Sequence, residues 1–173
     1  VMPDQQFAYR REGDEIIPVH DEAAIKCAQD IAQSVNPSMI VNLGDLMDFE
    51  PFSRYADDPA FTEMTQPSLN RGHQELAIHR EIVGDGEVIY MKGNHDKRID
   101  TYILSNSRAA FGLKKADEPD SWPALSVPNL LSLDKLGVHY VDSYPEGEYW
   151  LDTGTLRFIH GNKINSSGST AVT

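Results

Sequence analysis

The sequence predicts an α/β fold in which apolar strands alternate with helices. Residues 21–35 carry apolar side chains at helical spacing, and residues 39–43 form a continuous apolar run, which is typical of a buried parallel strand. A second helix over 73–83 and a second apolar strand over 88–91 repeat that order. Strand and helix therefore alternate as they do in βαβ units, and the fold class follows from this alternation.

Each element in the first half of the chain has local signals of its own. The residues before Asp4 are a short apolar lead, which we expect to form the end of a first strand. Asp21 suits the start of the first helix, because an acidic group there faces the positive end of the helix dipole. Pro37 stops that helix. The segment 49–72 is polar and contains prolines, so we expect it to be irregular.

The remainder of the chain has a different character. A helix is predicted over 99–113 and a long, proline-bearing loop over 114–129. The apolar stretches 138–141, 148–151 and 156–159 are short and separated by turns. Such short strands favour an antiparallel or mixed sheet at the end of the domain.

Composition limits the classes of protein to consider. The 173 residues suffice for a single domain with a buried core, spanning 1–173. The single cysteine, Cys27, allows no intramolecular disulfide and no all-cysteine zinc site, and we expect it to be buried on the apolar face of the first helix. No apolar run is long enough to cross a bilayer, and no secretory leader is visible. We therefore expect no membrane partner and a cytoplasmic location.

The charge balance bears on the substrate. Fifteen basic residues stand against 27 acidic ones, which gives a net charge of −12. Because phosphate backbones are bound by clustered lysines and arginines, this balance argues against a protein that follows nucleic acid by charge alone. A polyanionic substrate remains open if the chain binds a cation, and carboxylates are the ligands that hard metal ions prefer.

Polar side chains follow the ends of four predicted strands, which is where open α/β folds place their sites. Carboxylate, amide and imidazole groups of this kind bind divalent metals without any thiolate. Each group taken alone has a structural explanation as a turn, a helix cap or a strand-end residue, whereas the ordered set favours a metal site. The four groups are Asp4 with Gln6, Gly44-Asp45-Leu46-Met47-Asp48, Gly93-Asn94-His95-Asp96, and His160-Gly161.

This set resembles the calcineurin-like metallophosphoesterase family, whose motifs run DxH, GDxxD, GNH[DE], a lone His and GHxH. The opening with Gln6, together with GDLMDF and GNHDKR, is most similar to phage and bacterial members. The resemblance implies a four-layer α-β-β-α sandwich with mixed sheets. It also implies metal-dependent phosphoester hydrolysis, as by a phosphatase or phosphodiesterase, with a binuclear metal centre and a metal-bound hydroxide as the nucleophile.

The resemblance also implies roles for individual residues. Asp4 and Gln6 would bind one metal, Asn94 and His160 would bind the second, and Asp45 would bridge the two. The catalytic pair would be His95, which protonates the leaving oxygen or stabilises the transition state, and Asp48, which orients it. Asp96 would orient the ligands from behind.

Two departures from the family pattern affect these expectations. Gln6 stands where the family has His, and its neutral oxygen favours Mn²⁺, with Mg²⁺, Fe or Zn²⁺ as alternatives. The sequence has no GHxH motif, and residues 166–173 resemble the stretch that precedes it. We therefore expect the domain to be incomplete at its C-terminus and, as it stands, weakly active or inactive.

The sequence leaves the substrate open. Arg54 and Arg98 follow two of the motifs and could hold a substrate phosphate, although pairing with surface acids is at least as well supported by the sequence. The partner would be a phosphoester, with a nucleotide or nucleic acid among the candidates, in a bacterial or phage-infected host cell. Two alternatives to a general phosphoesterase remain: a nuclease of the same family, and a non-catalytic protein-interaction module with a vestigial metal site.

Overall fold

The computed structural model describes residues 1–54, 58–151 and 154–161. The α/β class is confirmed, because helices pack against a parallel sheet. The predicted tail segment 166–173 lies outside the described residues.

A three-stranded parallel sheet forms the centre of the fold. Its strands are β3 (Met39–Asn42), β4 (Glu87–Met91) and β5 (Val138–Val141), in the order β3-β4-β5. Met2 extends it by one parallel bridge to Asn42, as the short apolar lead predicts. The expected antiparallel or mixed pairing of residues 138–141 is wrong, because the long connection after β4 returns the chain as a crossover and makes β5 parallel.

Helices cover one face of this sheet. They are α1 (Glu22–Val35), α2 (Thr65–Val83), α3 (Arg98–Asn106), α4 (Val127–Leu130) and α5 (Leu133–Leu136). The larger core cluster joins them to the side chains of alternate strand positions, among them Ile40, Val88, Tyr90, Val138 and Tyr140.

A hairpin covers the opposite face. Its strands, β6 (Glu148–Trp150) and β7 (Arg157–Ile159), pair antiparallel. The intervening strand positions Val41 and Ile89 form a second apolar cluster, against which Tyr149 of this hairpin packs. The described residues thus form helix, sheet and hairpin layers, and no mixed sheet occurs among them.

A second hairpin was not predicted. It consists of β1 (Tyr9–Glu12) and β2 (Glu15–Pro18), and the register Glu12↔Glu15 leaves a two-residue turn at Gly13-Asp14. Gly13 has a φ of +61°, which two-residue hairpin turns require. A Gly-Asp pair between two short strands is a recognised hairpin signal, so the sequence did contain the information.

The predicted boundaries of α2 and α3 need correction. Residues 65–72, expected to be irregular, are the first two turns of α2. Pro67 lies in the first turn, where no intrahelical donor is needed, and these two turns bury Ser68, Leu69 and Gly72, so only one large apolar residue marks their inward face. α3 ends at Asn106 rather than at residue 113. The Asn106 side chain donates a hydrogen bond to the Tyr102 carbonyl, and the next residue, Ser107, has non-helical backbone angles.

Cys27 is exposed, so the prediction of a buried thiol is wrong. The side of α1 that packs inward carries Ile25, Gln29 and Ala32. At about 100° per residue, Cys27 lies on the opposite side of the helix from Ile25. No helix in the described part of the chain has both the length and the apolar character that crossing a bilayer requires.

Candidate metal centre

Two turns at the carboxyl ends of β3 and β4 meet, and the carboxylate of Asp96 joins them. One Asp96 oxygen accepts hydrogen bonds from the backbone N–H groups of Asp45, at 2.9 Å, and Gly93, at 2.8 Å. The other accepts from Met47 N–H at 3.3 Å and from the Tyr90 hydroxyl at 2.5 Å. Burial raises the pKa of Asp96 to about 6, against the opposing effect of these donors. Asp96 thus connects both turns from behind.

Asp45 lies on the inner side of the first turn. Its side chain is almost fully buried, and Oδ1 accepts a hydrogen bond from the His95 backbone N–H at 2.8 Å. Burial raises the pKa of the Asp45 carboxyl, and the nearby Asp4 carboxylate adds to that rise. A buried carboxylate beside a second acid is stabilised by a bound cation.

His160, at the end of β7, directs a ring nitrogen at the same point. Its Nδ1 lies 2.7 Å from the Leu43 carbonyl oxygen, which only accepts, so Nδ1 carries a proton. In the neutral ring Nε2 then has a free lone pair, 3.6 Å from Asp45 Oδ2 and 3.0 Å from Asn94 Oδ1. Acceptors that converge in this way form a ligand set for a cation, and the carbonyl bond is of the type that orients metal-binding histidines.

Asp4 completes a cluster of ligand atoms. One atom each of Asp4, Asp45 and His160 lie within 4.8 Å of one another. Asp4, Gln6 and Asp45 all have positive φ, at 45°, 48° and 52°. Non-glycine residues adopt this region at an energetic cost, and such residues concentrate at functional sites. The Gln6 backbone N–H donates to the Asp45 carbonyl at 2.9 Å, which holds the first segment against the second.

Two glycines let these segments approach. A Cβ on Gly93 would lie 2.1 Å from Asp45 Oδ1, and a Cβ on Gly44 would lie 2.4 Å from His160 Nδ1. Gly44 also has a φ of +97°, which favours glycine. Both positions therefore require glycine for the ligand side chains to occupy their places.

His95 lies beside the cluster and is held by Asp48. Its Nδ1 is 2.6 Å from Asp48 Oδ1, and this hydrogen bond raises the pKa of His95. Its Nε2 is 3.9 Å from Asp45 Oδ2. Arg98 donates to Asp48 Oδ1 at 2.6 Å and to the Asp48 carbonyl at 2.8 Å, and its second terminal nitrogen lies 3.3 Å from His95 Nε2. Arg98 therefore pairs with an acid, which is one of the two alternatives left open by the sequence, and the acid is the one that orients His95.

The donor set fits a divalent cation. Two carboxylates, an imidazole and an amide oxygen are ligands of Mn²⁺ and similar ions. The structure brings Asp4, Asp45, His160 and Asn94 together, and Gln6 adjoins them through its backbone. Arg54 lies on a cleft next to Asn94 rather than in the cluster.

The chain is similar to a phage protein. It is 27% identical to the Gene 54 protein of Mycobacterium phage D29 over 140 residues, which cover 79% of this chain and 52% of the relative. The chain therefore spans about half the length of that curated relative. No family model matches the chain, and no solved structure does.

The motifs did not indicate a buried polar network behind Asp4 and Gln6. Between these two residues, Gln5 Nε2 donates to Glu75 of α2 at 3.1 Å. Glu75 is fully buried and also accepts from Gln29 at 2.7 Å and from Arg71 at 2.9 Å. The sequence contains one signal for it, since acidic Glu75 falls on the inward face of α2, where an unpaired charge would be costly.

Proposed function

We propose that this protein is a metal-dependent phosphoester hydrolase with a two-metal site. The observation that carries the metal dependence is the convergence of Asp4, Asp45 and His160 within 4.8 Å, beside a histidine that a carboxylate orients, whereas the second metal rests on the resemblance alone. The order of the motifs and their resemblance to the calcineurin-like metallophosphoesterases support it. The resemblance also leads us to propose that the helix, sheet and hairpin layers belong to the four-layer sandwich of that family.

The ligand residues would form two groups, one for each cation. Asp4 and Gln6 would hold one Mn²⁺, Asn94 and His160 the other, and Asp45 would contact both. Bound divalent cations supply positive charge that neutralises phosphate oxygens and lowers the pKa of water. Asp96 keeps the two turns at a constant separation, because its carboxylate bonds to the backbone of Asp45 and Gly93.

His95 would hold the proton that the leaving oxygen takes. The Asp48 carboxylate accepts from Nδ1, so the ring presents Nε2 on the side of Asp45, 3.9 Å from Oδ2. A phosphoester beside Asp45 is then within reach of an Nε2–H donor. The Asp48 hydrogen bond raises the pKa of His95 and favours the protonated ring that a general acid needs, against the opposing charge of Arg98, which lies 3.3 Å from Nε2.

The phage origin of the relative supports a setting for this activity. We place it in the cytoplasm of a bacterial or phage-infected host cell, acting on a phosphoester there.

The test is Mn²⁺-dependent hydrolysis of bis(para-nitrophenyl) phosphate, a diester, and para-nitrophenyl phosphate, a monoester, by the protein made from its complete reading frame. We expect Mn²⁺ to stimulate hydrolysis of at least one ester, and His95→Ala to lower the rate by about 10²-fold or more while bound manganese stays unchanged. His139→Ala, a histidine exposed on β5, is the matched control and retains activity.

The outcomes separate the alternatives. Manganese bound in the expected amount without hydrolysis of either ester would contradict the enzymatic proposal and favour a non-catalytic module. Cleavage of DNA or RNA far in excess of both small esters would favour a nuclease.

A further inference from the structure

A cleft of about 510 Å³ opens beside the candidate metal centre. Asn94, which lies 3.0 Å from His160, belongs to its wall, and so does Tyr144. The Tyr144 ring meets the His160 ring edge-on, with centroids 5.5 Å apart. The cleft and the centre therefore share a wall, and a molecule bound at the metals would extend into this space.

The cleft has aromatic faces. Phe52 and Tyr102 form an edge-to-face pair with centroids 5.3 Å apart, and both line it. Tyr102 is 43% exposed, although a large aromatic side chain is usually better covered. Such faces bind flat, unsaturated rings by stacking.

The described lining of the cleft is richer in cations than the chain as a whole. It includes Arg54, Lys97 and Arg98, and no acidic residue occurs among the described residues of the lining. The charge of Arg98 is balanced by Asp48 at 2.6 Å, so Lys97 is the cation beside the aromatic faces on which the proposal rests. Lys97 Nζ lies 3.4 Å from the Tyr144 carbonyl oxygen and 6.0 Å from its ring centroid, so a cation adjoins an aromatic face. The lining therefore suits a ligand that is both anionic and aromatic.

Hydrogen-bonding groups lie along the same helix. Thr101, Ser105 and Asn106 of α3 reach the cleft next to Tyr102. Thr101 and Asn106 donate to the backbone carbonyls four residues earlier, and their side-chain oxygens can still accept from a base or a sugar hydroxyl. The volume is within the range of small-ligand sites and suits a single nucleotide.

We propose that this cleft binds the nucleoside part of a nucleotide phosphoester, with the base against Phe52 and Tyr102 and negative charge near Lys97. The position of the phosphorus at the metals rests on the proposed function, whereas recognition of the nucleotide does not. The net acidic charge disfavours binding along a nucleic-acid duplex, so the unit recognised is one nucleotide, either free or at the end of a strand.

The experiment compares two diesters with the same leaving group: the para-nitrophenyl ester of thymidine monophosphate and methyl para-nitrophenyl phosphate. With Mn²⁺ present, we expect kcat/KM to be about 10-fold or more higher for the thymidine ester, a factor typical of one base stacking on an aromatic side chain. Tyr102→Ala reduces that ratio to near unity, and Tyr102→Phe retains it. Leu104→Ala, an exposed position on the same helix outside the lining, is the matched control and also retains it.

The results distinguish the two proposals. If both esters are hydrolysed with equal kcat/KM, nucleotide recognition is overturned and phosphoester hydrolysis stands. If neither ester is hydrolysed, the equilibrium binding of thymidine monophosphate is compared with that of methyl phosphate. Tighter binding of the nucleotide, lost in Tyr102→Ala, supports nucleotide recognition by the cleft. Equal binding of the two compounds overturns it. A competition experiment between thymidine monophosphate and a short thymidylate strand then shows whether the cleft prefers a free nucleotide or a nucleotide at the end of a strand.

Discussion

Gln5 donates a hydrogen bond to the buried Glu75 carboxylate at 3.1 Å, across 70 positions of sequence. Gln5 lies between the candidate ligands Asp4 and Gln6, and Glu75 lies on the inward face of α2. The bond therefore connects the ligand segment to a helix that makes no contact with the metals in our proposal. Gln29 and Arg71 also donate to this carboxylate, and His79 Nε2 lies 2.9 Å from it.

Removing the Glu75 carboxylate should destabilise the fold and weaken metal binding. Glu75→Ala leaves Arg71 without one of its carboxylate partners and Gln5 without its acceptor, so we expect a loss of about 3–5 kcal/mol in the free energy of unfolding. Urea unfolding measures this loss, and calorimetric titration measures the Mn²⁺ affinity. Glu81→Ala, an exposed acid on the same helix, should change neither beyond about 0.5 kcal/mol. An unchanged Mn²⁺ affinity in Glu75→Ala would show that the network does not position Asp4.

The Glu22–Arg71 pair predicts a pH dependence of stability. Hydrogen bonding to Arg71, against the effect of burial, lowers the pKa of Glu22 to about 2. A lowered pKa in the folded state contributes stability above the unfolded pKa of about 4.3, and this contribution disappears as the pH falls towards 2. Because Glu22 is 44% exposed, we expect the contribution to be about 1 kcal/mol or less.

The variant Glu22→Gln tests this dependence. Its unfolding free energy should fall below that of the parent at pH values near neutrality, and the two should converge as the pH decreases from about 4.3. A difference that persists at the same size at low pH would mean that packing, rather than charge, is the cause.

Replacing Asp96 should cost more stability than replacing its hydroxyl donor. Asp96→Ala leaves the backbone donors of Asp45 and Gly93 unpaired in a buried place, so we expect a loss of about 3 kcal/mol or more. Tyr90→Phe removes one donor and leaves the turns joined, with an expected loss of about 1 kcal/mol. Denaturant unfolding of both variants measures the difference. Equal losses would contradict the view that Asp96 holds the turns together.

Adding one methyl group at Gly93 should disrupt the centre. The Cβ of Gly93→Ala would lie 2.1 Å from Asp45 Oδ1 and 2.4 Å from the Asp45 backbone nitrogen, so the carboxylate must move. We expect a 10-fold or greater loss of Mn²⁺ affinity, about 1.4 kcal/mol. Gly13→Ala is the control: it introduces strain at a φ of +61° with nothing within 4 Å, so stability falls while metal affinity is retained.

The exposure of Cys27 has a direct chemical test. An aromatic disulfide reagent that releases a chromophore should modify the thiol of the folded protein without denaturant, because the side chain lies on the outer side of α1. Reaction only after unfolding would restore the prediction of a buried thiol.

Local signals carried much of the fold prediction. The helix α1 begins and ends as its sequence indicates, with Asp21 capping the first turn and Asn36 at the end, and β3 and β4 follow their apolar runs. The predictions were wrong where contacts between residues far apart in the sequence determine the structure. β5 is parallel because of its crossover. α2 is longer than predicted because its first two turns bury Ser68, Leu69 and Gly72, which show no apolar periodicity in the sequence.

The sequence by itself determined the ligand types and the two turns that present them, since Gly44-Asp45 and Gly93-Asn94 are local patterns of conformation and chemistry. Only the tertiary structure decided which side chains meet. Asp45 and Asp96 are 51 positions apart, and His160 reaches Leu43 across 117, so their contacts depend on strand order and register rather than on neighbouring residues. The same holds for the cleft: its aromatic and basic lining comes from separate segments, which the folded chain brings together beside the metal ligands.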